Sequence, residues 1–319
     1  ATSRDAGGAA LALPVAWSTS APTVATVSST GEVRAITPGS ATITATVEGR
    51  SASATVTVLP LALRGATLSA SASHTCALTP TGAAYCWGVG VSGRLGTGLT
   101  DNRAEPALVA TSEAFTAIGA GLDHSCALTA AGAAYCWGRN DDGQLGDGTT
   151  TTRTVPTRVA GGFTFAALAV GWSYSCAITD LGVPHCWGRN GDGQLGDGTT
   201  TARTVPTAMP NRRLSAVSAG DAFTCGLDIS GEAVCWGRND LGQLGDGTRS
   251  NRVSPLSVVG GLRFTDLATG RSHGCGRTAA GTVHCWGWGA YAQLGTGSTA
   301  SSLVPVRVQS ALTFRTVSA

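Results

Sequence analysis

The tripeptide Cys-Trp-Gly begins at Cys86, Cys136, Cys186, Cys235 and Cys285, at intervals of 50, 50, 49 and 50 residues. Pro106, Pro156, Pro206, Pro255 and Pro305 return in the same register, as does a Gly-rich turn ending Gln-Leu-Gly in four of the five units. A fixed period of this length means that one supersecondary unit is stacked upon itself. Each unit divides into four short strands. In the second these are an apolar alternation at Phe115 to Gly119, a hairpin from His124 to Gly138 turning near Gly132, and a last strand around Thr157 to Ala160. Four strands per repeat describe a propeller blade. A lone blade cannot bury both faces, so neighbours must stack, and equivalent loops then fall on rings about one axis.

Composition agrees. Glycine supplies 45 of 319 residues and charged residues only 13%, and all 21 basic residues are arginine. Glu, Gln and Met are scarce beside Thr, Val, Ser, Ala and Gly, the vocabulary of strands and turns, so the chain is expected to be all-β. A net charge of +2 with no basic run argues against a nucleic-acid partner. The longest apolar stretches, Ala9 to Trp17 and Val56 to Leu63, are broken by Pro14 and Pro60 and fall far short of the ~20 residues that span a bilayer. The chain starts at Ala1 without a Met or an apolar leader, so a targeting segment was either never there or has been removed.

The run His124-Ser-Cys-Ala-Leu-Thr129, then Gly132, then Tyr135-Cys-Trp-Gly-Arg-Asn-Asp-Asp-Gly-Gln-Leu-Gly-Asp-Gly148, resembles the regulator-of-chromosome-condensation (RCC1-like) repeat. The resemblance covers residues 60 to 319 and implies an RCC1-like β-propeller. Outer repeats depart from it, with Val89 and Gly90, or Trp288 and Gly289, in place of Arg-Asn. The family's usual ring has seven blades, whereas five complete repeats are followed by Ala311 to Ala319, which matches only an opening strand. Either five blades close with the terminal strand completing the seam, or the intact chain continues to seven; the second is preferred.

Residues 1 to 59 differ in texture. Trp17-Ser-Thr-Ser20, Val24-Ala-Thr-Val27 and Pro38-Gly-Ser-Ala-Thr-Ile-Thr-Ala45 resemble a bacterial immunoglobulin-like domain of the second type, implying an incomplete β-sandwich joined near Leu59. Ile43, Ala45 and Val47 alternate with Thr42, Thr44 and Thr46 as a half-buried strand does.

All ten cysteines fall in pairs ten residues apart: Cys76 with Cys86, Cys126 with Cys136, Cys176 with Cys186, Cys225 with Cys235, and Cys275 with Cys285. With a turn midway, each pair faces across antiparallel strands close enough to bond, so five disulfides are expected. Each would close a loop of about ten residues, contributing roughly 2.5 to 3 kcal/mol in the chain-entropy model. Such bonds persist in an oxidising compartment. His74, His124, His185, His273 and His284 lie close to cysteines, but the spacing fits no zinc site.

Other signals have plain explanations. Gly88-Val-Gly-Val-Ser-Gly93 satisfies a dinucleotide string without a following helix. Asn140-Asp-Asp-Gly143 and Asn190-Gly-Asp-Gly193, followed by Asp147 and Asp197, lack the glutamate of a calcium loop and suit turns. Arg139, Arg189 and Arg238, with Arg103, Arg153, Arg203 and Arg252, would gather on rings; pairing with Asp147, Asp197 and Asp246 is preferred to binding an anionic partner. Trp87, Trp137, Trp187, Trp236 and Trp286 are expected in the blade core. Aromatics that break the repeat, Trp172, Tyr174, Phe223, Trp288 and Tyr291, are expected on one contact face, because exposed aromatics on rigid loops anchor interfaces.

No nucleophile with its base, paired carboxylates or His-Glu-x-x-His string occurs, so a non-enzymatic function without cofactor, metal or small-molecule substrate is expected. Propellers of the family include a nucleotide-exchange factor for a small GTPase and an inhibitor of secreted β-lactamases, both working through loops outside the repeat motif. The expectation is an extracytoplasmic bacterial protein, periplasmic or secreted, that docks as an accessory subunit on another envelope or membrane-complex protein. Inhibition of a secreted enzyme and carbohydrate recognition are the alternatives.

Overall fold

The computed structural model describes residues 14–36, 39–58, 68–209 and 212–319, with the backbone at Ser3–Arg4 and Ala10–Leu11. Two compact units divide the chain, residues 1–64 and 65–319. The joint expected near Leu59 lies outside the described residues.

In the first unit Gly39–Val47 pairs antiparallel with both Ala16–Thr19 and Arg50–Val58, and Ala25–Val27 pairs with Val33–Ala35. The long hairpin turns on Glu48 and Gly49, both at positive φ, as a two-residue turn matching the twist of its strands requires. Ala41 and Ile43 are buried, but Ala45 and Val47 only partly. The expected alternation therefore holds for half the strand. With the short pair Ser3–Arg4 and Ala10–Leu11, one three-stranded and two two-stranded sheets are described here, and the expected sandwich is not shown by them.

In the second unit every fifty-residue repeat forms a four-stranded antiparallel meander. The second blade runs Phe115–Ala120, His124–Thr129, Ala134–Gly138 and Arg153–Arg158, so its last strand starts before the stretch expected around Thr157 to Ala160. The others begin at Leu68, Phe165, Leu214 and Phe264. The first strand is innermost: the ends of these strands, Ala70, Ala120, Val170, Ala219 and Thr269, together with the terminal Ala319, line one central cavity of about 250 Å³.

The five expected disulfides are present, each joining the second strand of a blade to its third with Cα atoms 4.1 Å apart. The first four lie in the hydrophobic cores between blades, beside Trp137, Trp187, Trp236 and Trp286, and the fifth lies with Leu294 and Phe314 on the outer side of the last blade. These four indoles are fully buried, and each donates its N–H to a backbone carbonyl of the preceding blade, that of Arg94, Gln144, Gln194 or Gln243. The turn carrying that carbonyl needs glycine. Gly146 has φ +67°, and a Cβ there would sit 2.7 Å from the Trp187 indole.

A second link runs beside three of the four indoles. His74 Nε2 meets Ser125 Oγ at 2.8 Å, and His124 Nε2 meets Ser175 Oγ at 2.9 Å. In the next two pairs Tyr174 faces Thr224, and for Phe223 the following blade has Gly274 at the register that Thr224 occupies in its own. Polar partners thus occur together, and the apolar Phe223 is matched by a residue with no hydroxyl.

The first and fifth blades do not close a ring. Trp87 is only partly buried, and its indole donates no hydrogen bond among the described residues, because no blade covers it. Ala311 to Ala319 does not complete a seam as one expectation had it. The segment packs on the fifth blade, where Phe314 N–H donates to Gly281 O as Phe115 N–H does to Gly82 O.

Candidate functional site

The antiparallel meander places two loop sets at one end of the blades: the short turn after the first strand and the long Gly-rich loop after the third. The long loops are rigid. Asn140 Nδ2 donates to Asp147 and to the carbonyls of Thr149 and Thr151, while its Oδ1 accepts the Leu145 N–H. Asp147 also takes Arg153 at 2.8 Å, and the pattern repeats at Asn190, Asp197 and Arg203 and at Asn239, Asp246 and Arg252. Burial opposes charge on Asp147, but hydrogen bonds from Thr149 and Arg153 prevail and hold its carboxyl below the usual range. The preferred pairing of the arginine ring is thus found for Arg153, Arg203 and Arg252. Arg103 pairs with Asp101, and Arg139 and Arg238 pair with Asp141 and Asp240.

The short turns carry the residues that differ between blades. Leu122, Trp172, Asp221 and Arg271 occupy one register in successive blades. Leu122 N–H donates to Trp172 O, and Trp172 N–H to Gly220 O, so these turns are hydrogen-bonded to one another. Trp172 is half-buried, with the Arg271 guanidinium 5.0 Å over its ring. Arg271 lies 3.9 Å from Asp221, a loose pair whose arginine side chain is 69% exposed. Burial pushes the Asp221 carboxyl above its ordinary range against the pull of Arg271, Arg238 and Arg189.

A cleft of about 240 Å³ opens between Trp172, Arg189, Gln194, Asp221, Arg238 and Arg271. A hollow of about 210 Å³ adjoins it, sharing Asp221, Arg238 and Arg271 and ending at Leu241 and Trp288. Trp288 packs edge-on against Tyr291, centroids 4.8 Å apart, and Tyr291 is 79% exposed.

Three of the five pattern-breaking aromatics, Trp172, Trp288 and Tyr291, therefore reach this surface. Tyr174 and Phe223 do not: both are fully buried. They stand on second strands, at the register of His74 and His124, whose side chains point into the next blade. Tyr174 donates its hydroxyl to Phe223 O at 2.5 Å and accepts from Thr224, and Phe223 joins the core around Trp286. The charged members of the cleft were obscured in the sequence, because Arg189 and Arg238 repeat while Asp221 and Arg271 look unrelated until aligned with Trp172. Of the histidines beside cysteines, His74 and His124 bridge blades by hydrogen bonds. His185 lies 4.4 Å from Phe163, and among the described residues no three His, Cys, Asp or Glu side chains gather as a metal site would require.

The RCC1-like domain family matches residues 18–319. Human WBSCR16 is similar in structure, with TM-score 0.70 and 22% identity over 76% of this chain and 67% of that one. Yeast RCC1 (Prp20), solved bound to Kap60, gives 0.69 and 19% over 79% and 65%. Prp20p of Saccharomyces cerevisiae, described with its binding to Gsp1p and histones, gives 0.68 and 19% over 86% and 76%. The chain thus spans about two thirds to three quarters of these structures. No curated protein sequence matches it.

Proposed function

This chain belongs to the RCC1-like domain family, and on that premise we propose that it is a non-enzymatic protein-binding module of an oxidising, extracytoplasmic compartment, docking as an accessory subunit on an envelope or membrane-complex protein. The observation that carries this reading is the surface joining Trp172, Arg271, Trp288 and Tyr291, mounted on turns and loops held by buried hydrogen bonds. Trp, Tyr and Arg are the residues in which interface energy concentrates, and a rigid mounting lowers the entropic cost of association.

Five buried disulfides favour an oxidising compartment. Yeast RCC1 bound to Kap60 illustrates a propeller of this fold engaging a protein. Sugar recognition is less favoured, because Arg271 covers one face of Trp172 and Tyr291 abuts Trp288, leaving neither indole as an open platform.

The test is gentle purification from the source cells with photoreactive residues substituted at Tyr291 and Leu241, since the chain has no lysine for amine cross-linkers. A stoichiometric partner captured through these positions supports the reading. A partner captured instead through Leu181 and Ile229, at the opposite end of the blades, or migration as a lone monomer, overturns it.

A further inference from the structure

The third blade lacks a carboxylate that its neighbours possess. In the fourth blade Asp240 accepts Arg238 Nε and Nη2 at 2.9 and 2.6 Å and Gln243 Nε2 at 3.2 Å. In the second, Asp141 accepts Arg139 Nε at 2.7 Å. The equivalent residue of the third blade is Gly191. Its arginine, Arg189, makes no ion pair among the described residues. Gln194 is 1% exposed, and its Oε1 accepts the Asp192 N–H, but its buried Nε2 has no acceptor. Both residues line the cleft beside Trp172, and a Cβ built on Gly191 would meet nothing within 4 Å. The same two donors that hold a carboxylate within the fourth blade thus have none in the third, where the place of its Cβ is empty.

We propose that Arg189 and Gln194 form a carboxylate-binding site filled by an Asp or Glu side chain of the partner protein, which takes the place that Asp240 occupies in the next blade. The site rests on the protein-binding reading and names the chemistry that reading leaves open. A guanidinium fork suits a carboxylate bidentately, and burying the Gln194 amide without an acceptor is costly, so the incoming group is rewarded twice. Asp192, whose Oδ1 accepts from Asn251, and Asp221 repel the newcomer, while Arg238 and Arg271 across the cleft attract it. Those opposing charges favour a single carboxylate over a highly charged polyanion.

The experiment titrates N-acetylaspartate amide into the full oxidised chain at constant ionic strength and follows the Arg189 Nε–H and Gln194 amide resonances, with N-acetylasparagine amide as neutral control. Saturable shifts with a Kd of about 1 to 10 mM are expected, weakened about tenfold or more by Arg189→Gln. Gly191→Asp, which restores the carboxylate within the chain, should abolish binding while leaving the melting temperature unchanged or raised. No saturable shift by ~100 mM, equal binding of the neutral amide, or unaltered binding by Gly191→Asp overturns the site. Preferential binding of glucuronate overturns the assignment to a protein side chain. A partner that needs Trp172 and Trp288 but binds Gly191→Asp unchanged refutes this inference and leaves the protein-binding reading standing.

Discussion

Ser175→Ala is expected to weaken the second unit more than its size suggests. The hydroxyl is fully buried, donates to Gln144 O at 3.0 Å and accepts from His124 Nε2 at 2.9 Å. Gln144 O keeps the Trp187 indole, but His124 has no other partner, since its Nδ1 is already unsatisfied. Two lost hydrogen bonds at about 1 kcal/mol each, plus the cost of an orphaned buried N–H, give a loss of about 3 kcal/mol. That corresponds to a fall in melting temperature of roughly 6 to 10 °C for a unit of this size. The assay is thermal and urea unfolding of the oxidised chain. Ser175→Thr is the control, because Thr224 makes the equivalent bond to Gln194 O in the next blade at 2.9 Å; it should lose less than about 1 kcal/mol. A Ser175→Ala loss under about 1 kcal/mol, or a Ser175→Thr loss as large, would refute the account of how blades are joined.

Acid should destabilise the protein through His74 and His124, which burial lowers to about 4 and about 3, helped by Arg94 and by His74 respectively. Unfolded imidazole takes its proton near pH 6.5, so below that pH the unfolded chain binds more protons. Stability is then full above about pH 6.5 and falls toward pH 4 by up to roughly 3 kcal/mol per unit for the two groups. A melting temperature flat over that range contradicts their burial as neutral groups. Denatured, unreduced protein should show no reactive thiol, and replacing Cys176 and Cys186 together by Ala should cost about 2 to 3 kcal/mol, read by urea unfolding; near-ten free thiols would remove the disulfides and the compartment with them.

Most of the scaffold was legible because each blade repeats one chemical solution. Cys, Trp, Gly and Gln-Leu-Gly recur since the indole, the glycine turn and the carbonyl that accepts the indole N–H must all return at every blade interface. What differs between blades was harder to interpret. An aromatic that breaks a pattern looks alike whether it faces water, as Tyr291 does, or replaces a core histidine, as Tyr174 does. The strand alternation distinguishes them, because Tyr174 lies two residues before Cys176 and so shares its inward face. The acceptorless donors of the third blade were invisible in sequence, since Gly191 is an ordinary turn residue until Asp240 shows what its register can hold. The N-terminal stretch carried alternation enough for strands but not for the way its small sheets are arranged.

The account turns on the Trp172 and Trp288 face being where a partner docks. The direct measurement is the affinity of the captured partner for the Trp172→Ala/Trp288→Ala chain, compared with a Leu181→Ala/Ile229→Ala chain altered at the opposite end, where these side chains are 67% and 82% exposed. At about 2 kcal/mol for each anchor, the first should bind about 1,000-fold more weakly and the second within about twofold of the unaltered protein. The reverse order, or equal affinities, would contradict the assignment of this face.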